Sequence, residues 1–135
     1  MMLWGTLKWT RGVDKVKELD AALAAHVVWM SDLRQAIVNA TATPGVECVR
    51  ADDKCPFGRW LYGSSLSLEE RATEYYSEVR QLHAEFHEVG ARVLELAGQG
   101  RVFEAYRILY GEYLTMSGRL ALAIRAWQKA LQQTD

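Results

Sequence analysis

Three stretches of the chain place apolar residues at alternating steps of three and four, and this spacing constrains the fold more than any other feature. Residues at such steps share one face of an α-helix, so each stretch predicts a long helix that buries that face. The chain contains only 2 prolines, Pro44 and Pro56, and its many Ala, Leu, Glu and Arg residues favour helix over strand. We therefore predict an all-α fold, an antiparallel, four-helix-bundle-like arrangement of three long helices and one short one.

The first long helix is predicted from about Val13 to Ala40, and the second from about Leu68 to Ala97. Ser67 and Glu70 form a capping-box pattern at the start of the second helix. A short helix is predicted in the segment from Cys55 to Gly63, with Pro56 at its first position and Gly63 at its end. The expected buried seams are Val16, Leu19, Leu23, His26, Met30, Leu33, Ile37 and Ala40; Ala72, Tyr76, Val79, His83, Phe86, Gly90, Val93 and Ala97; and Tyr106, Leu109, Tyr113, Met116, Leu120, Ala123 and Trp127.

Residues 1–135 are expected to form a single domain, with residues 1–12 as an N-terminal extension and a turn-rich stretch from Thr41 to Lys54. The formal net charge is −1, which gives no electrostatic case for binding nucleic acid or an anionic membrane. The N-terminal apolar run is too short for a signal peptide, and no segment approaches the roughly 20 apolar residues of a membrane span. We therefore expect a cytoplasmic protein.

The chain has 3 histidines, and their positions suggest a metal site. His26 and His83 occupy seam positions of two different helices, where leucine would be usual. His87 follows His83 by four residues, so both imidazoles lie on one helix face. A single such histidine is more often a core residue bonded to a carbonyl, but three that converge on one core favour metal ligation.

Cys55 is the candidate fourth ligand. Because it precedes Pro56, it is expected at the N-cap of the short helix, where free amides and the helix dipole stabilise a thiolate, with Lys54 and Arg59 acting in the same direction. Three imidazoles and one thiolate suit tetrahedral Zn²⁺. An inert buried thiol remains the alternative for Cys55. A disulfide with Cys48 is disfavoured by the small number of cysteines, and Cys48 is left out of the predicted site.

Three motifs in this order resemble the chemoreceptor zinc-binding (CZB) domain family. They are His26-Val27-Val28-Trp29, Cys55-Pro56-Phe57-Gly58-Arg59-Trp60-Leu61 and His83-Ala84-Glu85-Phe86-His87. The resemblance implies a helical bundle that binds zinc through His26, Cys55, His83 and His87. It also implies a cytosolic regulatory module, typically a homodimer, that works with a chemoreceptor or a diguanylate cyclase as its signalling partner. The output would be chemotaxis or cyclic-di-GMP signalling.

Four aromatic residues near these motifs are expected to surround the site or to fill the core: Trp29, Phe57, Trp60 and Phe86. Three further tryptophans, Trp4, Trp9 and Trp127, are expected to leave apolar surface for a dimer interface on the first helix and the N-terminal segment.

Three functions stay open at this stage. The first is a non-enzymatic sensor in which zinc level, or an oxidant such as hypochlorous acid acting on the Cys55 thiolate, changes the metal site. Oxidation is then expected to loosen the short helix, because few other contacts were predicted for it. The second is a zinc hydrolase, which a complete four-ligand set and the absence of a placed general base disfavour; Glu85 is expected to point away from the two histidines. The third is a dimerisation module in which the zinc ion has a purely structural role.

Overall fold

The computed structural model describes residues 2–39 and 46–134, and the side chains of residues 2–13, 48 and 134 lie outside this description. Its helices are α1 (Met2–Asn39), α2 (Val46–Arg50), α3 (Pro56–Tyr62), α4 (Leu68–Arg71), α5 (Glu74–Gly98), α6 (Val102–Ile108) and α7 (Leu114–Thr134), and a π-helical turn (Leu109–Tyr113) joins α6 to α7. No strand occurs among the described residues. The predicted all-α bundle is confirmed.

Three long helical rods build the core: α1, α5, and the continuous rod of α6, the π-turn and α7. The predicted seams supply most of the buried side chains, including Leu19, Leu33 and Ile37 of α1. Trp127 is also buried, packing against Trp60 and Tyr76. The expectation that Trp127 leaves apolar surface for a partner is therefore wrong.

The rods do not all alternate in direction. Gln128 near the end of α7 donates to the carbonyl of Val16, and Trp29 contacts Tyr113 near the start of α7, so α1 and α7 are antiparallel. By contrast, His26 contacts His83, and Trp29, one turn further along α1, packs on Gly90, two turns further along α5. The helices α1 and α5 are therefore parallel, which requires the connecting segment to return along the bundle. That returning segment carries Cys55.

The boundaries of the two predicted long helices differ from the prediction in two places. The first helix begins at Met2 rather than near Val13, because no proline interrupts the chain before that point; residues 2–12 of the proposed extension thus belong to α1. The second helix is divided, since the side chain of Thr73 caps the amide of Tyr76 and starts α5 anew. The predicted capping box of Ser67 and Glu70 is present on the short α4.

The stretch predicted as turns contains a helix. Residues 46–50 form α2, which packs against α5, while residues 40–45 lie outside the description. Within the described residues, no helix combines the length and the hydropathy needed to cross a bilayer.

Candidate metal centre

The structure brings the three histidines together in the interior of the bundle. Ligand-capable ring nitrogens of His26, His83 and His87 all lie within 4.8 Å of one another. His83 is fully buried, His87 nearly so, and His26 half-buried. Helix periodicity explains the arrangement, because His83 and His87 are one turn apart on α5 and α1 runs beside that face.

Cys55 joins this cluster from the N-terminus of α3. Its Sγ lies 3.4 Å from Nε2 of His83 and 3.5 Å from Nε2 of His87, and those two nitrogens are 3.0 Å apart. Tetrahedral zinc with Zn–N of about 2.0–2.1 Å and Zn–S of about 2.3 Å places its donor atoms roughly 3.3–3.6 Å from each other. The sulfur–nitrogen separations therefore match a zinc-sized site, and the nitrogen pair is slightly closer.

A backbone carbonyl fixes the tautomer of His87. Nδ1 of His87 donates to the carbonyl oxygen of Val49 at 2.6 Å. Because a carbonyl oxygen can only accept, the proton is on Nδ1 and the lone pair of Nε2 points towards Cys55 and His83. An electron-pair donor of His87 therefore faces the other members of the cluster, a position where a cation can bind.

Arg50 holds the segment that carries this carbonyl. Its guanidinium pairs with Glu88 and Glu95 of α5 and with Glu47 of its own helix. The pairing anchors α2 on α5 beside His87. Sequence reasoning missed both Val49 and Arg50, because a backbone carbonyl has no residue signature and α2 was not predicted.

The local geometry of α3 follows the sequence prediction. Cys55 is the N-cap, Pro56 occupies the first turn and Gly63 is the C-cap. The amide of Gly58 donates to Cys55 Sγ at 3.3 Å. A Cβ at Gly58 would lie 1.8 Å from the carbonyl oxygen of Asp52, so only glycine allows α3 to approach the preceding loop this closely.

Contacts to the bundle hold α3 in place independently of the cysteine. Leu61 is fully buried, its carbonyl accepts from the Tyr76 hydroxyl at 2.9 Å, and the side chain of Arg71 donates to the Gly63 carbonyl. Trp60 packs on Trp127. The expectation that little else ties α3 to the bundle is therefore wrong.

Burial governs the protonation of the cluster. It lowers the pKa of His26 to about 4 and that of His83 to about 2, assisted in both by the neighbouring imidazole of His87. Burial lowers the pKa of His87 as well. Neutral imidazole is the form that binds a metal ion, so all three side chains are in the required state near pH 7.

The thiol of Cys55 behaves differently from the sequence expectation. Burial raises its pKa, which outweighs the lowering by hydrogen bonds from backbone amides, among them that of Gly58, and the negative charge of Asp52 raises the pKa further. The side chains of Lys54 and Arg59 are exposed. The N-cap alone therefore does not ionise this thiol, and a bound cation is the remaining source of stabilisation for a thiolate.

Aromatic rings enclose three of the four positions. Trp29 contacts His87, Phe57 contacts His83 and Phe86 contacts His26, with ring centroids 5.0, 5.1 and 4.8 Å apart. Trp60 contacts Phe57 and Trp127 instead. The carboxylate of Glu85 is exposed and lies 3.5 Å from the amide of Gln81, in agreement with its predicted direction away from the cluster.

Comparison with known proteins identifies the family. The family model described as the chemoreceptor zinc-binding domain matches residues 26–94, just over half of the chain. The matched segment contains all four clustered side chains. No curated protein and no solved structure matches the chain. The chain contains a cluster of three histidines, with Cys55 in contact with two of them, inside a helical bundle, and it belongs to the chemoreceptor zinc-binding domain family.

Proposed function

We propose that the chain binds one Zn²⁺ through His26, Cys55, His83 and His87. The proposal rests on one observation: Cys55 Sγ lies 3.4 Å from Nε2 of His83 and 3.5 Å from Nε2 of His87. The imidazoles of this site are buried and neutral. Zn²⁺ supplies the positive charge that stabilises the thiolate and accepts the converging electron pairs. Three nitrogens and one sulfur complete a tetrahedral set, which favours a regulatory or structural zinc over a hydrolytic one.

The proposed ligands connect three separate elements, which suits a sensory role. His26 lies on α1, Cys55 begins α3, and His83 and His87 lie on α5. Loss of zinc removes the metal link between α1 and α5, so zinc level or oxidation of Cys55 would alter the module even though other contacts hold α3. We propose a cytoplasmic module of bacterial signalling that acts with a chemoreceptor or a diguanylate cyclase, in keeping with the family.

The zinc proposal is tested by metal analysis of the purified chain. We expect about one zinc per chain and loss of tight binding in His26→Ala, Cys55→Ser, His83→Ala and His87→Ala, because each substitution removes one of four ligands. Cys48→Ser is the matched cysteine control and should retain zinc. A His83→Ala/His87→Ala double variant with a full complement of zinc would exclude this ligand set.

Treatment with hypochlorous acid tests the proposed redox response. Cys55 should be modified before Cys48, with release of zinc and little change in helical content. Because Leu61, Tyr76 and Arg71 hold α3 independently of the cysteine, α3 should stay docked while zinc leaves. Mass spectrometry and a colorimetric zinc assay measure the two events. If Cys48 alone is oxidised while zinc stays bound, sensing of zinc concentration becomes the better account.

We further propose that the module is a homodimer through α1 and the N-terminal segment. Val27 and Val28 of α1 are 74% and 61% exposed, an apolar surface suited to a partner helix. The side chains of Trp4 and Trp9, which the sequence places in the same interface, lie outside the described residues. Sedimentation should show a dimer at tens of micromolar protein, and a monomer there would contradict the proposal.

A further inference from the structure

A cavity of about 450 Å³ opens beside the histidine–cysteine cluster, between α1 and the segment that leads into α3. Its α1 wall contains Ala21, Ala25 and Val28, and its opposite wall contains Pro56 and Phe57. This volume lies within the roughly 300–1,000 Å³ of small-molecule sites, and such sites are mostly apolar. The cavity therefore fits an uncharged molecule with a hydrocarbon portion.

The same cavity reaches the cluster. Cys55, His26 and His87 contribute to its lining, and Cys55 is half-buried, whereas His83 is fully buried. The charged side chains in the lining, Glu18, Asp32 and Lys54, are all exposed. An apolar molecule in the cavity is therefore next to Cys55, and the charged groups of the lining can remain in contact with solvent.

We propose that this cavity binds α,β-unsaturated aldehydes that carry a hydrocarbon tail and presents them to Cys55 Sγ. The apolar walls suit the hydrocarbon tail, and the sulfur of Cys55 is a soft nucleophile suited to the soft electrophilic β-carbon. The inference deepens the proposed sensory function and rests on it, because it adds a class of carbon electrophiles to the signals that act on Cys55. Hypochlorous acid has no tail and gains nothing from the cavity walls.

The reaction is an addition in which atoms and electrons balance. An electron pair of the Cys55 sulfur forms a bond to the β-carbon of the aldehyde, and where the sulfur is a thiol its proton passes to water. The π electrons of the carbon–carbon double bond move to the α-carbon, which takes a proton from water. No oxidant is required and no group leaves. The product is a neutral thioether. Cys55 then has no thiolate, which is the form of cysteine that binds zinc.

The rate of adduct formation at Cys55 tests the proposal. The full chain in a Cys48→Ser background, both zinc-loaded and chelator-treated, is reacted with acrolein, 2-hexenal and 2-nonenal, and adducts are followed by mass spectrometry. Each rate is divided by the rate of the same aldehyde with glutathione, which removes differences in intrinsic reactivity. Because each buried methylene favours binding, the normalised rate should rise at least about tenfold from acrolein to 2-nonenal in both preparations.

Two variants fill the cavity, and a third is their matched control. Ala25→Phe and, independently, Ala21→Phe place a ring in the cavity wall and should abolish the dependence on tail length. Leu122→Phe adds the same ring on α7 at a position 73% exposed and outside the cavity lining, and should leave that dependence intact. All three variants should retain zinc, measured by elemental analysis.

Equal normalised rates for the three aldehydes would overturn the proposal, as would a tail-length dependence unchanged in both filled variants. Protection of Cys55 at concentrations where the chain is a dimer, lost on dilution, would also overturn it, because a second copy would then cover the cavity. Failure of the zinc proposal is separately visible. In that case, purified protein contains no zinc, while the chelator-treated chain still shows the tail-length dependence.

Discussion

Two regions of the bundle use the same seam positions with opposite chemistry. Along α5, Val79, Val93 and Ala97 are fully buried and contact other apolar side chains. His83 occupies an equivalent position and is equally buried, yet its Nδ1 has no hydrogen-bond partner. Periodicity assigns all four residues to the core. The difference lies in the chemistry of the side chains. Burial of the apolar side chains stabilises the fold, whereas burial of the unpartnered His83 nitrogen costs free energy that a bound metal can offset.

The largest expected effect lies in the apolar region. Leu120→Ala should lower the free energy of unfolding by about 2–5 kcal/mol, because Leu120 is 1% exposed and its loss leaves a cavity. Urea denaturation measures the change. Leu122→Ala on the same helix is the control, since Leu122 is 73% exposed and should change stability by less than about 0.5 kcal/mol. Equal effects of the two substitutions would contradict the core assignment.

A substitution in the histidine cluster should raise the free energy of unfolding instead of lowering it. In chelator-treated protein, His83→Leu should raise the free energy of unfolding by roughly 1–3 kcal/mol, because it replaces a buried imidazole with an unpartnered nitrogen by an apolar side chain. The same variant should lose tight zinc binding. Denaturation with and without zinc measures both effects. If the metal-free variant is less stable than the metal-free parent chain, His83 stabilises the fold without metal. That result would contradict the proposed difference between the two regions.

The sequence predicted the part of the fold that repeats with helix periodicity. The three seams agree with the structure except at Ala72, which is exposed, and at Ala40, which lies outside the described residues. The Pro56–Gly63 limits of α3 and the convergence of His26 with the α5 histidines also agree. Each of these features depends on side-chain identity at a regular spacing. The ligation of zinc by the four side chains stays a prediction.

Features that depend on backbone groups or on competing local interactions were not predictable in this way. The carbonyl of Val49 carries no sequence signal, and the Thr73 cap divides a pattern that reads as one helix. The raised pKa of Cys55 reflects burial, which periodicity does not quantify. The parallel direction of α1 and α5 depends on the path of a long connection whose length alone permits either direction.

Low pH should also distinguish the two regions, because it lowers stability through buried imidazoles and these lie only in the cluster. The lowered folded-state pKa values of His26 and His83, about 4 and about 2, lie below the unfolded value of roughly 6.5. The unfolded chain therefore binds more protons as pH falls below about 6.5, and metal-free stability is lost in that range. Each imidazole should contribute about 1 kcal/mol of this loss between pH 7 and pH 5.5.

Comparison with His83→Leu isolates one imidazole from the carboxylates that titrate in the same range. In chelator-treated protein, urea denaturation at pH 7 and pH 5.5 should show a loss of stability smaller by about 1 kcal/mol in the variant than in the parent chain. An identical pH dependence in both proteins would mean that His83 has an ordinary pKa, and thus that it is less buried than the structure shows.

The smallest expected effect tests how the apolar bundle supports the cluster. Arg50→Gln removes the ion pairs that anchor α2 to Glu88 and Glu95 of α5. The Val49 carbonyl should then orient His87 less well, and zinc affinity should fall about tenfold, the lower end of effects seen when groups that orient a ligand are lost. Because these pairs are partly exposed, the free energy of unfolding should change by less than about 1 kcal/mol.

Arg92→Gln is the matched control for this effect. Arg92 lies on α5 and, like Arg50, forms a salt bridge between two elements: it pairs with Glu112 at 2.7 Å. Its partner belongs to the π-turn and has no contact with the Val49 carbonyl. Competition with a chelating dye should therefore show weaker zinc binding in Arg50→Gln and unchanged binding in Arg92→Gln. If both variants bind zinc equally well, α2 does not orient His87, and the position of that imidazole is set by α5 and the packing of Trp29 alone.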